Sequence, residues 1–417
     1  MSQDELHRAV AKVADAVKKQ QVRPWGEVHF VVAVCARQSG WQEWMRGKES
    51  PRRVVSGKMK LFAILACLGA SAEALTSAEI PPLRGLSRTD LLEYRDASGA
   101  VKRASTTAEW EARRKEALDG FQQMTGPLPG PEARCALEPQ THAEEDCGGY
   151  VRRLISYQSS PGGRVTAYLC VPKAALAGKA APAVLCLHPT DNVIGHKVVV
   201  GLGGRPNRQY AAELAERGFV TLAPSYPLLA QYQPDLKALG FTSGTMKAVW
   251  DNIRGLDLLE MLPFVKKEAG FATIGHSLGG HNSIFTAVFD ERLKAVVTSC
   301  GFDSLLDYKD GNIQGWVQER YILKMAEYLG RPQDAPFDHY ELIACLAPRH
   351  VFVSAPLHDS NFKWDSVDRI AAAARPVFAL HGAAERLEIH HPDCDHDFPD
   401  KERLASYDLI QRVLGAP

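Results

Sequence analysis

From residue 150 onward the chain alternates short apolar runs with stretches of helical periodicity, and this alternation restricts the fold more than any other feature. Residues 183–187 (AVLCL) are apolar at every position, as in a strand buried on both faces. A helix is expected over 208–217, a strand over 219–223, a long helix over 244–262 and a strand over 271–275. A helix from Leu278 and strands at 295–299, 351–354 and 387–390 continue the series. Before it, 150–157 and 164–171 read as two strands joined at Ser159-Ser160-Pro161-Gly162-Gly163 in a hairpin. Strands that alternate with helices require right-handed crossovers, so the expected architecture is α/β, a mostly parallel central sheet with helices on both faces.

The remainder of the chain is read around that core. Residues 303–348 exceed an ordinary connection and carry Tyr308, Trp316, Tyr321, Tyr328, Phe337 and Tyr340, which suggests a helical lid or pocket wall. Residues 75–149 read as an N-terminal capping extension, with a charged helix over 107–123 that ends at Gly126-Pro127-Leu128-Pro129-Gly130-Pro131. Residues 59–74 have the layout of a secretory signal: Lys58 and Lys60, a short apolar run, then Ala-Ser-Ala and Ala-Glu-Ala. The run is too short to span a bilayer. Translation from Met59 would make residues 1–58 an upstream segment outside the native protein and would direct the chain to the periplasm or outside the cell; otherwise it is cytoplasmic. The catalytic domain is expected over 150–417.

Charge excludes some partners. Lys plus Arg and Asp plus Glu both number 49, so nothing in the balance favours nucleic acid or an anionic membrane. The nine cysteines form no CxxC pair, which disfavours zinc ribbons and thioredoxin-type redox sites. Cys135 and Cys147 flank a polar loop and could close a disulfide in an oxidising compartment.

The chemistry concentrates at Gly275-His276-Ser277-Leu278-Gly279-Gly280, directly after the apolar run 271–274 and at the start of a helix. A strand–turn–helix setting is what a nucleophile elbow needs: small residues let the turn close, and the strained Ser presents its hydroxyl above the sheet. A serine hydroxyl is a weak nucleophile without a base held by a carboxylate, and after such an elbow the chain order is Ser, acid, His. His381, His390, His391 and His396 are the candidates for the base, and His396, in the loop past the last strand, is best placed. Asp359 follows the penultimate strand, at the carboxyl edge where ligands of such sheets bind; Asp303 and Asp365 are its rivals. The cluster His390, His391, Asp393, Cys394, Asp395 and His396 lies on a loop, without the paired i,i+4 geometry that a helix would give, so it does not read as a metal site. An oxyanion needs two donors, for which the Leu278 amide and the Thr190 amide are the candidates, Pro189 having no N–H. His188 orients that loop, lies against substrate or is simply a satisfied histidine at the strand end, and His276 and Trp316 are further candidates for substrate contact.

Taken together, LHPTDN, GLGG, YAAELAERGFVTLAPSYP, SGTMKAVWDNIRGLDLL, GHSLGGHNSIFTAVFDERLKAVVTSCGF, APLHDSNF and PDCDHDFP resemble bacterial secreted α/β-hydrolases near the dienelactone-hydrolase and acetyl-xylan-esterase-like groups. The resemblance covers residues 84–415 and implies the α/β-hydrolase fold, with Ser277, Asp359 and His396 in triad positions. Dienelactone hydrolases use a Cys nucleophile; Ser at 277 favours an ordinary carboxylic ester, small or on a polysaccharide, cleaved through an acyl-enzyme without a cofactor. A prolyl-oligopeptidase-like peptidase and a non-catalytic carbohydrate-binding relative are the alternatives. The first lacks room for a propeller before residue 150, and the second has no need of Asp359 and His396 together.

Overall fold

The computed structural model describes residues 80–415; the signal-like segment and everything upstream of it lie outside the described residues. The chain first forms a small hairpin, β1 (Glu93–Arg95) and β2 (Val101–Arg103), and then helix α1 (Thr107–Thr125). A reciprocal cap starts α1: the Thr106 hydroxyl accepts the Glu109 amide while the Glu109 carboxylate takes the Thr106 amide. Trp110, Arg113, Ala117, Phe121 and Met124 make its buried face.

The main sheet has nine strands. β3 (Gln140–Asp146), β4 (Tyr150–Ser160) and β5 (Gly163–Pro172) run antiparallel. After the short helix α2 (Lys173–Leu176) come β6 (Ala183–Leu187), helix α3 (Tyr210–Glu216) and β7 (Val220–Pro224). Helix α4 (Gly244–Met261), β8 (Phe271–His276), helix α5 (Leu278–Ala287) and β9 (Leu293–Ser299) follow. Helix α6 (His339–Ala344), β10 (His350–Ser354), helix α7 (Trp364–Leu380), β11 (Leu387–His390) and helix α8 (Asp400–Leu414) complete the chain. The spatial order is β11-β10-β9-β8-β6-β7-β5-β4-β3, with every pair from β7 to β11 parallel. This is the α/β-hydrolase topology, extended by β3.

Alternate residues of the parallel strands feed two cores. Leu185, Val296 and Val351 pack with α4, α5 and α7 on one face, while Cys186, Val297 and Phe352 pack with α3 and α8 on the other. Burial on both faces explains why these strands read as unbroken apolar runs. Order reverses at β6: the chain goes from there to β7 on one side and later to β8 on the other. The crevice above the carboxyl ends of β6 and β8 is therefore the switch point at which such sheets bind ligands.

Three expectations are corrected. β3 falls within the stretch expected to cap the domain, yet it pairs with β4 as the edge of the sheet. The insertion 303–348 holds no long helix: it is built of four short 3-10 turns and α6, with Gly330 and Pro336 in the breaks between them. Buried ion pairs Arg88–Asp338 and Arg113–Glu341 fasten it to the N-terminal extension. Cys135 and Cys147 are both free. The Cys135 thiol points to the Gln158 carbonyl near one end of β4 and the Cys147 amide bonds the Tyr150 carbonyl at the other, a span of about 26 Å. No disulfide reaches across that distance. Among the described residues no helix is long and apolar enough to cross a membrane.

Candidate active site

β8 and α5 meet at Ser277, whose backbone is held at φ 55° and ψ −119°. A side chain at positive φ is strained, and here the strain is fixed from both sides: the Ser277 amide donates to the Ser299 carbonyl at 2.8 Å, and its carbonyl accepts the Gly280 and His281 amides. The glycines around it are steric requirements. A methyl on Gly279 would overlap the Leu187 carbonyl, one on Gly275 the Gly279 carbonyl, and one on Gly280 would crowd Gly301 and Thr298. The elbow thus closes directly against β6 and its following loop.

His396 sits in the loop after β11. Its Nε2 lies 2.9 Å from the Ser277 hydroxyl and its Nδ1 lies 2.9 Å from both oxygens of Asp359, in the loop after β10. Asp359 is buried, which alone would raise its carboxyl; the hydrogen bond and charge of His396, aided by the Asn361 amide, overcome this and hold it below its ordinary value. A carboxylate that stays ionised keeps the Nδ1 proton on His396 and leaves Nε2 free to accept from serine. The His396 loop is itself braced: Asp397 pairs with the buried Arg208 at 2.6 Å and accepts from Asn207, and the Cys300 thiol meets the Asp397 carbonyl. Cys300 has φ 49°, and burial first, then the charge of Asp359, push its thiol well above the usual range. Among the described residues, Cys300, Asp359 and His396 form the one group whose ligand-type atoms converge, within 4.8 Å. Two of the three are already bonded to each other.

The other candidates for base and acid lie elsewhere. His381 packs edge-on against Trp110, His390 stacks on Phe352, and His391 pairs with Asp368. Asp365 pairs with Arg369 on α7. Asp303 is buried, and burial pushes its carboxyl up to about 8, with the Lys363 amide opposing and the charges of Asp307 and Asp338 adding. An unfolded chain ionises Asp near pH ~3.9. Between about pH 4 and 8 the unfolded state therefore gives up a proton that the folded state keeps, and stability falls as pH rises through that window. Asp303→Asn removes this loss. Urea midpoints of variant and wild type should diverge in the variant's favour from pH 4 to 8; parallel profiles would mean that Asp303 is ionised in the fold.

The loop after β6 faces the elbow. His188 Nε2 accepts the Tyr226 amide at 3.0 Å, so its proton is on Nδ1, which donates to the Pro189 carbonyl. Burial lowers this imidazole to about 4, and it serves as a neutral anchor of the loop. The exposed Thr190 bonds through its hydroxyl to the Tyr321 hydroxyl at 2.9 Å. Leu278 begins α5, so its amide is one of the four that the helix itself cannot use. His276 and Trp316, expected to touch substrate, are 2% and 5% exposed. The His276 ring lies 4.9 Å from His396 and nearly parallel to Phe398; burial keeps it far below its ordinary pKa and hence neutral. Trp316 is enclosed by His281, Tyr308, Tyr321 and His339. Both are packing residues: His276 lies behind the His396 ring and Trp316 in the aromatic cluster of the insertion.

The sequence reading did not single out Arg320, whose guanidinium donates to Asn192 at 2.7 Å, nor Phe362, 6.2 Å from the His396 ring. Nothing local marks the place of Arg320 at the site, since the loop partner Asn192 is 128 residues away.

No protein-family model matches the chain. Over 142 residues, 34% of the chain, it is 27% identical to YtaP of Bacillus subtilis (strain 168), whose name makes it a hydrolase provisionally; the matched stretch spans 44% of that relative. Among solved structures it is similar to a glucuronoyl esterase from Solibacter usitatus (TM-score 0.62, 18% identity, 81% of this chain and all of the other). A carbohydrate esterase family 15 glucuronoyl esterase from Caldicellulosiruptor kristjansonii superposes at TM-score 0.56 and 17% identity, over 78% and 89% of the two chains. A Bacteroides fragilis protein provisionally described as an acetyl xylan esterase gives 0.53 and 16%, over 83% and 84%. At these identities the likeness establishes the architecture: the chain has the α/β-hydrolase fold.

Proposed function

We propose that the protein is a serine hydrolase that cleaves a carboxylic ester through an acyl-enzyme. One observation carries this reading: a single imidazole, His396, bridges the hydroxyl of a strained serine and a buried carboxylate, all contacts at 2.9 Å. In the proposed reaction His396 Nε2 takes the Ser277 proton as Oγ attacks the ester carbonyl, and Asp359 holds the imidazolium that results. The amides of Leu278 and Thr190 receive the oxyanion. As the tetrahedral intermediate collapses, His396 returns the proton to the departing alcohol; it then activates water to free the acid. The likeness to carbohydrate esterases favours an ester on a sugar or polysaccharide, and the signal-like segment at 59–74 fits work on such a polymer outside the cytoplasm.

A fluorophosphonate probe with a mass-spectrometric readout, run beside hydrolysis of p-nitrophenyl acetate to octanoate, tests this. The expected result is one adduct, on the peptide that carries Ser277, and turnover of at least the short esters. A folded protein that neither labels nor turns over would overturn the reading in favour of a binding module, and amidase activity exceeding ester activity would turn it into a peptidase.

A further inference from the structure

We propose that the ester cleaved at this site carries an anionic group, such as a carboxylate, and that Arg320 receives it; the proposal rests on the ester-hydrolase reading above. The backbone of Arg320 is pinned at the switch point: its carbonyl accepts the Tyr226 hydroxyl at 2.7 Å, and the neighbouring carbonyls of Glu319 and Tyr321 accept the amides of Gly244 and Thr245 at the start of α4. Its side chain is pinned as well. Nε donates to the Gln318 amide oxygen and Nη1 to the Asn192 amide oxygen, both at 2.7 Å, and the guanidinium lies 5.2 Å from the Tyr321 ring centre. Asn192 belongs to the candidate oxyanion loop, which Tyr321 also grips through Thr190. Tyr321 packs in turn against the small cluster that contains Leu278, the residue after the nucleophile.

All of these partners are neutral. Among the described residues no carboxylate lies within ion-pairing distance of Arg320. The loop's own acid, Asp191, is engaged with the amides of Val193 and Ile194. Two of the five guanidinium donors are engaged, which leaves three in a rigid fork suited to a carboxylate. A surface arginine kept for solubility needs no such bracing. A fixed positive charge without a carboxylate partner, bonded to the loop that carries the candidate oxyanion donor, selects an anionic substrate, because charge-assisted bonds are about twice as strong as neutral ones.

Two isosteric ester pairs test this. One pair places the charge on the alcohol side (the acetates of 4-hydroxybenzoate and 4-hydroxybenzamide). The other places it on the acyl side (mono-4-nitrophenyl glutarate and its terminal amide). The quantity read is the charged-to-neutral ratio of kcat/KM, in wild type, Arg320→Gln and Arg320→Lys, with the wild type also at raised salt. The expected ratio in wild type is about tenfold or more for one pair, which identifies the side that bears the anion. It falls towards one in Arg320→Gln and at high salt, and Arg320→Lys retains part of it. A ratio near one for both pairs, or one that survives Arg320→Gln, overturns the proposal. So does an equal loss on all four esters with the ratio unchanged, which would assign Arg320 to the oxyanion instead. If Arg320→Gln does not fold, the salt dependence of the wild-type ratio decides. Hydrolysis of neutral esters without charge preference sinks this inference alone; no turnover of any ester sinks the ester-hydrolase reading with it.

Discussion

Ser277→Ala and His396→Ala should each lower kcat/KM for a short ester by at least ~10³-fold, and the double variant should be scarcely slower than either single one. The two side chains act as one device. Without Nε2 the Ser277 hydroxyl keeps its proton and is a poor nucleophile; without the hydroxyl, the imidazole has nothing to activate but water. Asp359→Asn should also be severely impaired, because an amide facing Nδ1 permits the wrong tautomer, in which Nε2 carries the proton. Steady-state kinetics on p-nitrophenyl acetate check this, with urea midpoints to confirm folding. A loss under tenfold for Ser277→Ala would place the nucleophile elsewhere, and multiplicative effects in the double variant would separate the two residues.

The largest effect on stability is expected at a buried ion pair that takes no part in that chemistry. On α4, Lys247 is fully buried, and its Nζ donates to Asp251, to the Ser159 hydroxyl at 3.1 Å and to the Tyr232 hydroxyl at 3.0 Å. Asp251 also accepts the Tyr232 hydroxyl at 2.9 Å, and its backbone carbonyl takes that of Tyr157. Truncation of Asp251 to Ala strands an ammonium in an apolar interior and should cost ~3–5 kcal/mol. Replacement of both partners by Lys247→Met with Asp251→Leu removes two charges together and should cost far less, because neither is left unpaired. Urea denaturation of the two variants compares them directly. Equal losses would mean that water reaches Lys247 and that the pair is not a sealed ion pair.

How much of this was visible in the sequence depends on the range over which each feature is determined. The parallel strands were legible to within about two residues, because burial on both faces writes itself as an apolar run, as in 183–187 and 271–275. The structure brings Ser277, Asp359 and His396 together as their places after successive strands suggested, since side chains at the carboxyl edge of a parallel sheet have one crevice to share. β3 was hidden: its QTHAEED is polar on both faces, and its pairing partner β4, rather than its own pattern, makes it a strand. The insertion misled because aromatic content marks packing and not long helices; Trp316 is buried at the end of a single 3-10 turn and Tyr340 in the six-residue α6. The grip of Arg320 and Tyr321 on the loop after β6 was hidden, because it spans 128 and 131 residues of chain; Tyr321 stood out only as one aromatic of the insertion. The separation of Cys135 from Cys147 was likewise a property of β4's length and not of their spacing.

The charged edge strand also bears on how the protein behaves in a crowd. All seven residues of β3 are exposed, and Glu144, Glu145 and Asp146 pair inward with Arg153, Arg152 and Lys173, while the register slips between Thr141 and Ala143. A second chain that tried to add itself there would meet an irregular ladder and three carboxylates whose counter-ions are already taken. The opposite edge, β11, offers only four residues. A sheet with nine strands and a buried, largely apolar middle would otherwise be a template for aggregation. The two margins thus resist further strand addition through charge, irregularity and brevity, which leaves the interior strands free to be as greasy as their packing demands.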